Sequence, residues 1–134
     1  MTFTRARPYR KNDQAHVEQK NFTNVRLWFG YERYDHPDLW RLINTLCRGA
    51  LHQLLNYFLP TMKLAKKERV GSKTVRTYSP TQTPLERVLA CAEVGAATQA
   101  QLRAEQAALN PLTLRRKVDR QLQAIEAVWR TPGA

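Results

Sequence analysis

Apolar residues recur along this chain at helical spacing, broken at four places by proline or glycine. Over 14–29 the apolar positions are Val17, Phe22, Val25, Trp28 and Phe29. They predict an amphipathic helix with these residues facing a core, Asn12 or Asp13 as its cap and Gly30 as its end. Pro8 biases Arg7 away from helix, so residues 1–13 read as an extended entry. Over 38–58 the polar residues Arg41, Asn44, Thr45, Arg48, Gly49, His52, Gln53 and Asn56 trace one narrow stripe. The rest of that circumference is apolar, which predicts a single long buried helix stopped by Pro60.

Residues 61–83 change character, and Gly71-Ser72 divides two short runs that read as a basic hairpin or an ordered loop. Thr83 before Pro84 predicts a short helix over 84–93. A further helix is expected over 98–109. Asn110-Pro111 starts a last one reaching Trp129, with an apolar seam of Leu114, Val118, Leu122, Ile125 and Trp129. The last two read as a helical hairpin. The fold class is therefore mainly α.

Charge sharpens this picture. Lys and Arg number 22 against 11 Asp and Glu, a formal net charge of +11. That balance favours a polyanionic partner, most often nucleic acid. Six of the cations, Lys63, Lys66, Lys67, Arg69, Lys73 and Arg76, crowd one short stretch in which only Glu68 opposes them. The cluster Arg115-Arg116-Lys117 with Arg120 reads as an ordinary charged face opposite the apolar seam. Cys47 and Cys91 are far apart and fit buried free thiols in a reducing compartment, not a metal motif or a disulfide framework. No apolar run reaches the ~20 residues of a membrane span, so the expectation is a cytoplasmic, nucleoid-associated protein without a membrane partner.

One acidic residue, Glu18, lies near the start of the first predicted helix, among basic and amide side chains. Strand-transfer chemistry on DNA uses divalent metals held by a few carboxylates and phosphate oxygens. A glutamate so placed fits one corner of such a site, but spacing alone favours a solvated surface glutamate.

The wording of the segment adds to this. Tyr9, Val17, Glu18 and Asn21 match the last motif of the DDE integrase–transposase superfamily, in the integrase-core branch of bacterial insertion sequences. Gln14 and Ala15 stand where that motif more often has Asn and Gly. Gly30-Tyr31-Glu32-Arg33-Tyr34-Asp35, Met62-Lys63-Leu64 and Lys67-Glu68-Arg69-Val70-Gly71-Ser72-Lys73 resemble one subgroup of the same transposases, so the likeness runs over about 3–129.

The resemblance implies that residues 1–59 are the C-terminal remnant of an RNase H-like α/β catalytic core. Residues 60–83 would be a basic loop or hairpin and 84–134 a small helical C-terminal region. It implies Glu18 as the catalytic and metal-binding acid. Two aspartates on earlier strands would complete an Mg²⁺ (or Mn²⁺) site in the full-length parent. Asp35, Asp38 and Asp119 follow the glutamate and cannot take their place. The chain alone is expected to bind no such metal and to be catalytically inactive. Arg7, Tyr9, Lys11, Asn12, Gln14, Lys20 and Asn21 would line the DNA path, with the 63–76 cations on transposon ends, target DNA or a sister subunit. Trp28, Leu39, Leu42, Ile43, Leu46 and Leu54 would await the missing sheet. The alternative is a stand-alone basic module that binds DNA or transposase subunits and modulates the intact enzyme.

Overall fold

A computed structural model describes residues 7–10 and 15–131. The chain is mainly helical, with one two-stranded antiparallel sheet. The predicted cap positions Asn12 and Asp13 fall outside the described residues. Helix α1 (Ala15–Asn21) runs on through a π-helical turn, Phe22–Arg26, into a last turn, α2 (Leu27–Phe29). Gly30 ends it with φ 70°, a left-handed conformation that glycine adopts without a Cβ penalty. The wide turn changes the phase of the apolar stripe. Phe29 is buried and Trp28 half-buried, whereas Val17, Phe22 and Val25 are exposed instead of facing the core. Periodicity at 3.6 residues cannot foresee a π insertion, because the extra residue carries no composition signal.

The long apolar segment forms two helices, α3 (Pro37–Arg48) and α4 (Ala50–Tyr57), not one. Gly49 separates them at φ −107°, ψ −112°. A Cβ at that position would lie 2.9 Å from the Thr45 carbonyl oxygen, so the kink requires glycine. The His36 imidazole Nδ1 accepts from the Asp38 amide and caps α3, with Pro37 at the first turn.

The core forms where α7 (Pro111–Arg130) crosses α3 and α4. Leu114, Val118 and Ile125 of α7 are buried with Leu39, Leu46, Ala50, Leu51 and Leu54. The apolar side of α3 and α4 thus has its partner within the chain. Asn110 caps α7 by accepting from the amides of Leu112 and Thr113. Trp129 closes the far end: its indole Nε1 donates to the Arg33 carbonyl at 3.2 Å and holds the 30–36 connector. In that connector Tyr34 packs edge-on against Phe29 and its hydroxyl donates to the Phe29 carbonyl.

Strands β1 (Leu64–Val70) and β2 (Lys73–Tyr78) form the hairpin, turning at Gly71, φ 62°. Helix α5 (Pro84–Leu89) is shorter than expected and begins in a full capping box, Thr83 with Glu86. Helix α6 (Ala96–Ala107) does not lie along α7 as a helical hairpin would. It is tied to the end of α4, where the Tyr57 hydroxyl donates to Glu105 Oε2 at 2.6 Å and Gln106 donates to the Tyr57 carbonyl at 3.2 Å. Cys47 and Cys91 are free and exposed, where burial was expected.

Leu46 and Val118 are both fully buried at the crossing. Leu46→Ala leaves a cavity there and is expected to cost about 2–5 kcal/mol in urea denaturation. Leu112→Ala, at a position 70% exposed on α7, is expected to cost within about 0.5 kcal/mol.

The α6 tie is expected to depend on pH. The Tyr57 hydrogen bond, with help from Gln101, holds the Glu105 carboxyl below its ordinary pKa, and the same bond raises the Tyr57 pKa. The carboxylate's contribution is present above the unfolded carboxylate range and is lost as pH falls through Glu105's lowered pKa. The tyrosine's contribution is lost as pH rises toward its raised value. Amide exchange of α6 should quicken at both ends, and Tyr57→Phe should abolish the alkaline step and shrink the acid one to the part that Gln101 sustains.

Candidate functional site

The hairpin carries the densest charge, and its register sorts that charge onto two faces. Directly opposed residues share a face, as do residues two apart on one strand. Lys67 lies opposite Arg76 and Arg69 opposite Thr74. Those three cations therefore occupy one face with a threonine and no carboxylate. Lys66, Glu68, Val70, Lys73 and Val75 take the other face, where Lys66 pairs with Glu68 at 2.5 Å. Every residue of both strands is exposed, so neither face packs on the core. Like charges directly across a strand pair destabilise it, and two uncovered strands are marginal on their own. The Lys67–Arg76 pair thus weakens a hairpin with little stability to spare.

The stem compensates. The Ser79 amide donates to the Lys63 carbonyl at 2.8 Å, and the Lys63 amide donates to the Ser79 hydroxyl at 3.0 Å. Thr61 pairs with Gln82. Arg87 of α5 reaches across to donate to both the hydroxyl and the carbonyl oxygen of Thr61, the former at 2.8 Å. A basic arm is therefore rooted in α5 through one guanidinium.

The residues expected along the DNA path are described only in part. Lys11, Asn12 and Gln14 lie outside the described residues. Arg7 and Tyr9 sit in an exposed turn, closed by the Arg10 amide on the Arg7 carbonyl, with Tyr9 at φ 61°. Glu18 and Asn21 are exposed on α1. Among the described residues no three His, Cys, Asp or Glu side chains gather into a metal-binding group. Glu18 brings a single carboxylate, so the described donor set does not fit the metal pair that the resemblance implies.

Lys20 and Lys63, distant in sequence, share the lining of one open groove of about 750 Å³ between α1, the end of α4 and α5, together with Arg87. Charge counting along the chain cannot find this groove, since only the tertiary fold joins its walls. Arg115, read as an ordinary surface cation, pairs with Asp119 at 2.9 Å and stacks over the Trp28 ring at 5.4 Å, linking α2 to α7. Tyr31 lies under the Arg26 guanidinium at 4.9 Å.

The chain is 41% identical over 88 residues to an uncharacterized protein, y4rM, of Sinorhizobium fredii. The match takes in 63% of this chain but spans only about a quarter, 24%, of that protein's length. No protein-family model matches the chain, and no solved structure matches it.

Arg87→Ala is expected to loosen the arm and leave the core intact. Loss of its two charged hydrogen bonds to Thr61, at least about 1.5 kcal/mol, should speed amide exchange across β1 and β2 by roughly tenfold or more while α7 stays protected. Arg87→Lys should not restore it, because an ammonium lacks the two-pronged geometry.

Proposed function

We propose that this chain is the C-terminal part of a DDE-type transposase or integrase and that it binds DNA through the hairpin arm. The observation that carries the DNA-binding part is the face formed by Lys67, Arg69 and Arg76. Like charges set opposite each other on uncovered strands cost stability, and a phosphate backbone laid along that face would offset the cost. Neither sequence-specific pockets nor a base-reading helix is needed for such binding, since phosphate contacts carry no sequence information.

The transposase part rests on the motif residues Tyr9, Val17, Glu18 and Asn21, and on the likeness around Gly30 and Met62. In this reading residues 1–59 are the tail of an RNase H-like core. Glu18 is the residual catalytic acid on an exposed helix, and the parent performs metal-dependent cleavage and strand transfer at the nucleoid. One carboxylate cannot hold two divalent ions, so the chain alone is inactive. Arg7, Tyr9 and Asn21 would meet DNA only beside the rest of such a core. That the matched Sinorhizobium fredii protein is about four times as long as the shared region suits a chain that is one part of a larger protein.

The test is DNA binding as a function of salt. A labelled duplex should bind with log K falling linearly in log salt. The triple change Lys67→Glu, Arg69→Glu and Arg76→Glu should lower the slope by about 3. Glu18→Gln should leave the affinity unchanged. A wild-type slope near zero, or a slope indifferent to the triple change, would sink the assignment of DNA to this face. Built into the full-length parent, Glu18→Gln should abolish strand transfer.

A further inference from the structure

The groove that joins Lys20 to Lys63 has a chemistry unlike that of the arm. Its floor is apolar, formed by Leu55, Leu59 and Val88. Leu59 and Val88 remain 37% and 41% exposed. An adjoining hollow of about 530 Å³ shares Lys20, Asn24, Leu55 and Leu59 and extends the floor to Trp28. Three cations rim the larger space, and neither lining contains an Asp or Glu. Arg87 is held by Thr61, but among the described residues the Lys20 and Lys63 ammonium groups make no ion pair or side-chain hydrogen bond.

We infer that this groove docks an acidic amphipathic helix of a partner protein. Such a helix offers an apolar stripe for Leu55, Leu59 and Val88 and flanking carboxylates for Lys20 and Lys63. A nucleic-acid backbone would satisfy the lysines but leave the apolar floor without a matching surface. A second copy of this chain, at +11, brings like charge to a cationic rim. The occupant that answers both the floor and the rim is acidic and amphipathic.

The experiment uses the whole chain and a labelled synthetic peptide of roughly four helical turns, about 14 residues. The peptide carries Leu at helical i, i+3, i+4, i+7 spacing and Glu elsewhere, and its control is a scrambled peptide of the same composition. Fluorescence anisotropy should show the amphipathic peptide binding at least about tenfold more tightly than the scrambled one. Val88→Asp and Lys63→Glu, both at exposed positions, should each weaken it by about tenfold with the far-UV circular dichroism unchanged. The arm variant Lys67→Glu, Arg69→Glu, Arg76→Glu should leave it as it was, so the result reads independently of DNA binding. Equal binding of both peptides, binding of neither, or affinity that survives Val88→Asp and Lys63→Glu overturns the inference. So does a single-stranded oligonucleotide that displaces the peptide and is itself lost on Val88→Asp, since the groove would then be a nucleic-acid path.

Discussion

The crossing of α7 over α3 and α4 is the constraint on which the rest depends. Leu46 and Val118 are sealed there completely, and the other buried residues of the cluster gather around them. Only α7 presents an apolar seam long enough to cover two helices, and it meets them on either side of the Gly49 kink. Everything else hangs from this joint. The connector is fastened to the α7 terminus by Trp129, α6 to the α4 terminus by Tyr57, and α2 to α7 by Trp28 under Arg115. These attachments rest on one or two polar or cation–π contacts each, with Phe29 of α2 also buried in the core, whereas the joint is dispersion and hydrophobic burial over many side chains.

The molecule is therefore uneven in how it is held. Every residue of the arm's strands is exposed, and so are residues 17–21 of α1. They are also where the candidate chemistry lies: cations on the arm, Glu18 and Lys20 on α1. Segments that meet a large partner are commonly drawn from weakly tethered parts, because their surface must stay uncovered until the partner arrives. The Thr61–Arg87 contact limits this freedom, since it sets the arm's angle against α5 and brings Lys63 to the groove.

Elements that announce themselves by local chemistry were legible in the sequence. Asn110-Pro111, Thr83-Pro84, Gly30 and Gly71-Ser72 each bring their own cap or turn, and each appears where read. What escaped was decided by geometry that composition does not encode. Gly49 sat inside a polar stripe and looked like one more small residue, yet its missing Cβ is what lets the helix break. The π turn carried no signal at all. The covering of α3 and α4 by α7 is a tertiary choice, and from sequence those apolar positions looked unpartnered. The six arm cations could be counted from sequence, but their division into a cation face and a paired face needed the strand register. The groove needed the whole fold.

The π turn at Phe22–Arg26 has a consequence for orientation. Each residue of an α-helix rotates the chain by about 100° about its axis, so one residue more or fewer swings everything beyond it by over a quarter turn. The segment below the turn, α2, is clamped to the joint through Phe29 and Trp28. In the segment above it, α1, residues 17–21 are exposed. The azimuth at which Glu18 and Asn21 project, and the one that brings Lys20 over the groove, is thus dialled by a single wide turn while the core stays as it is.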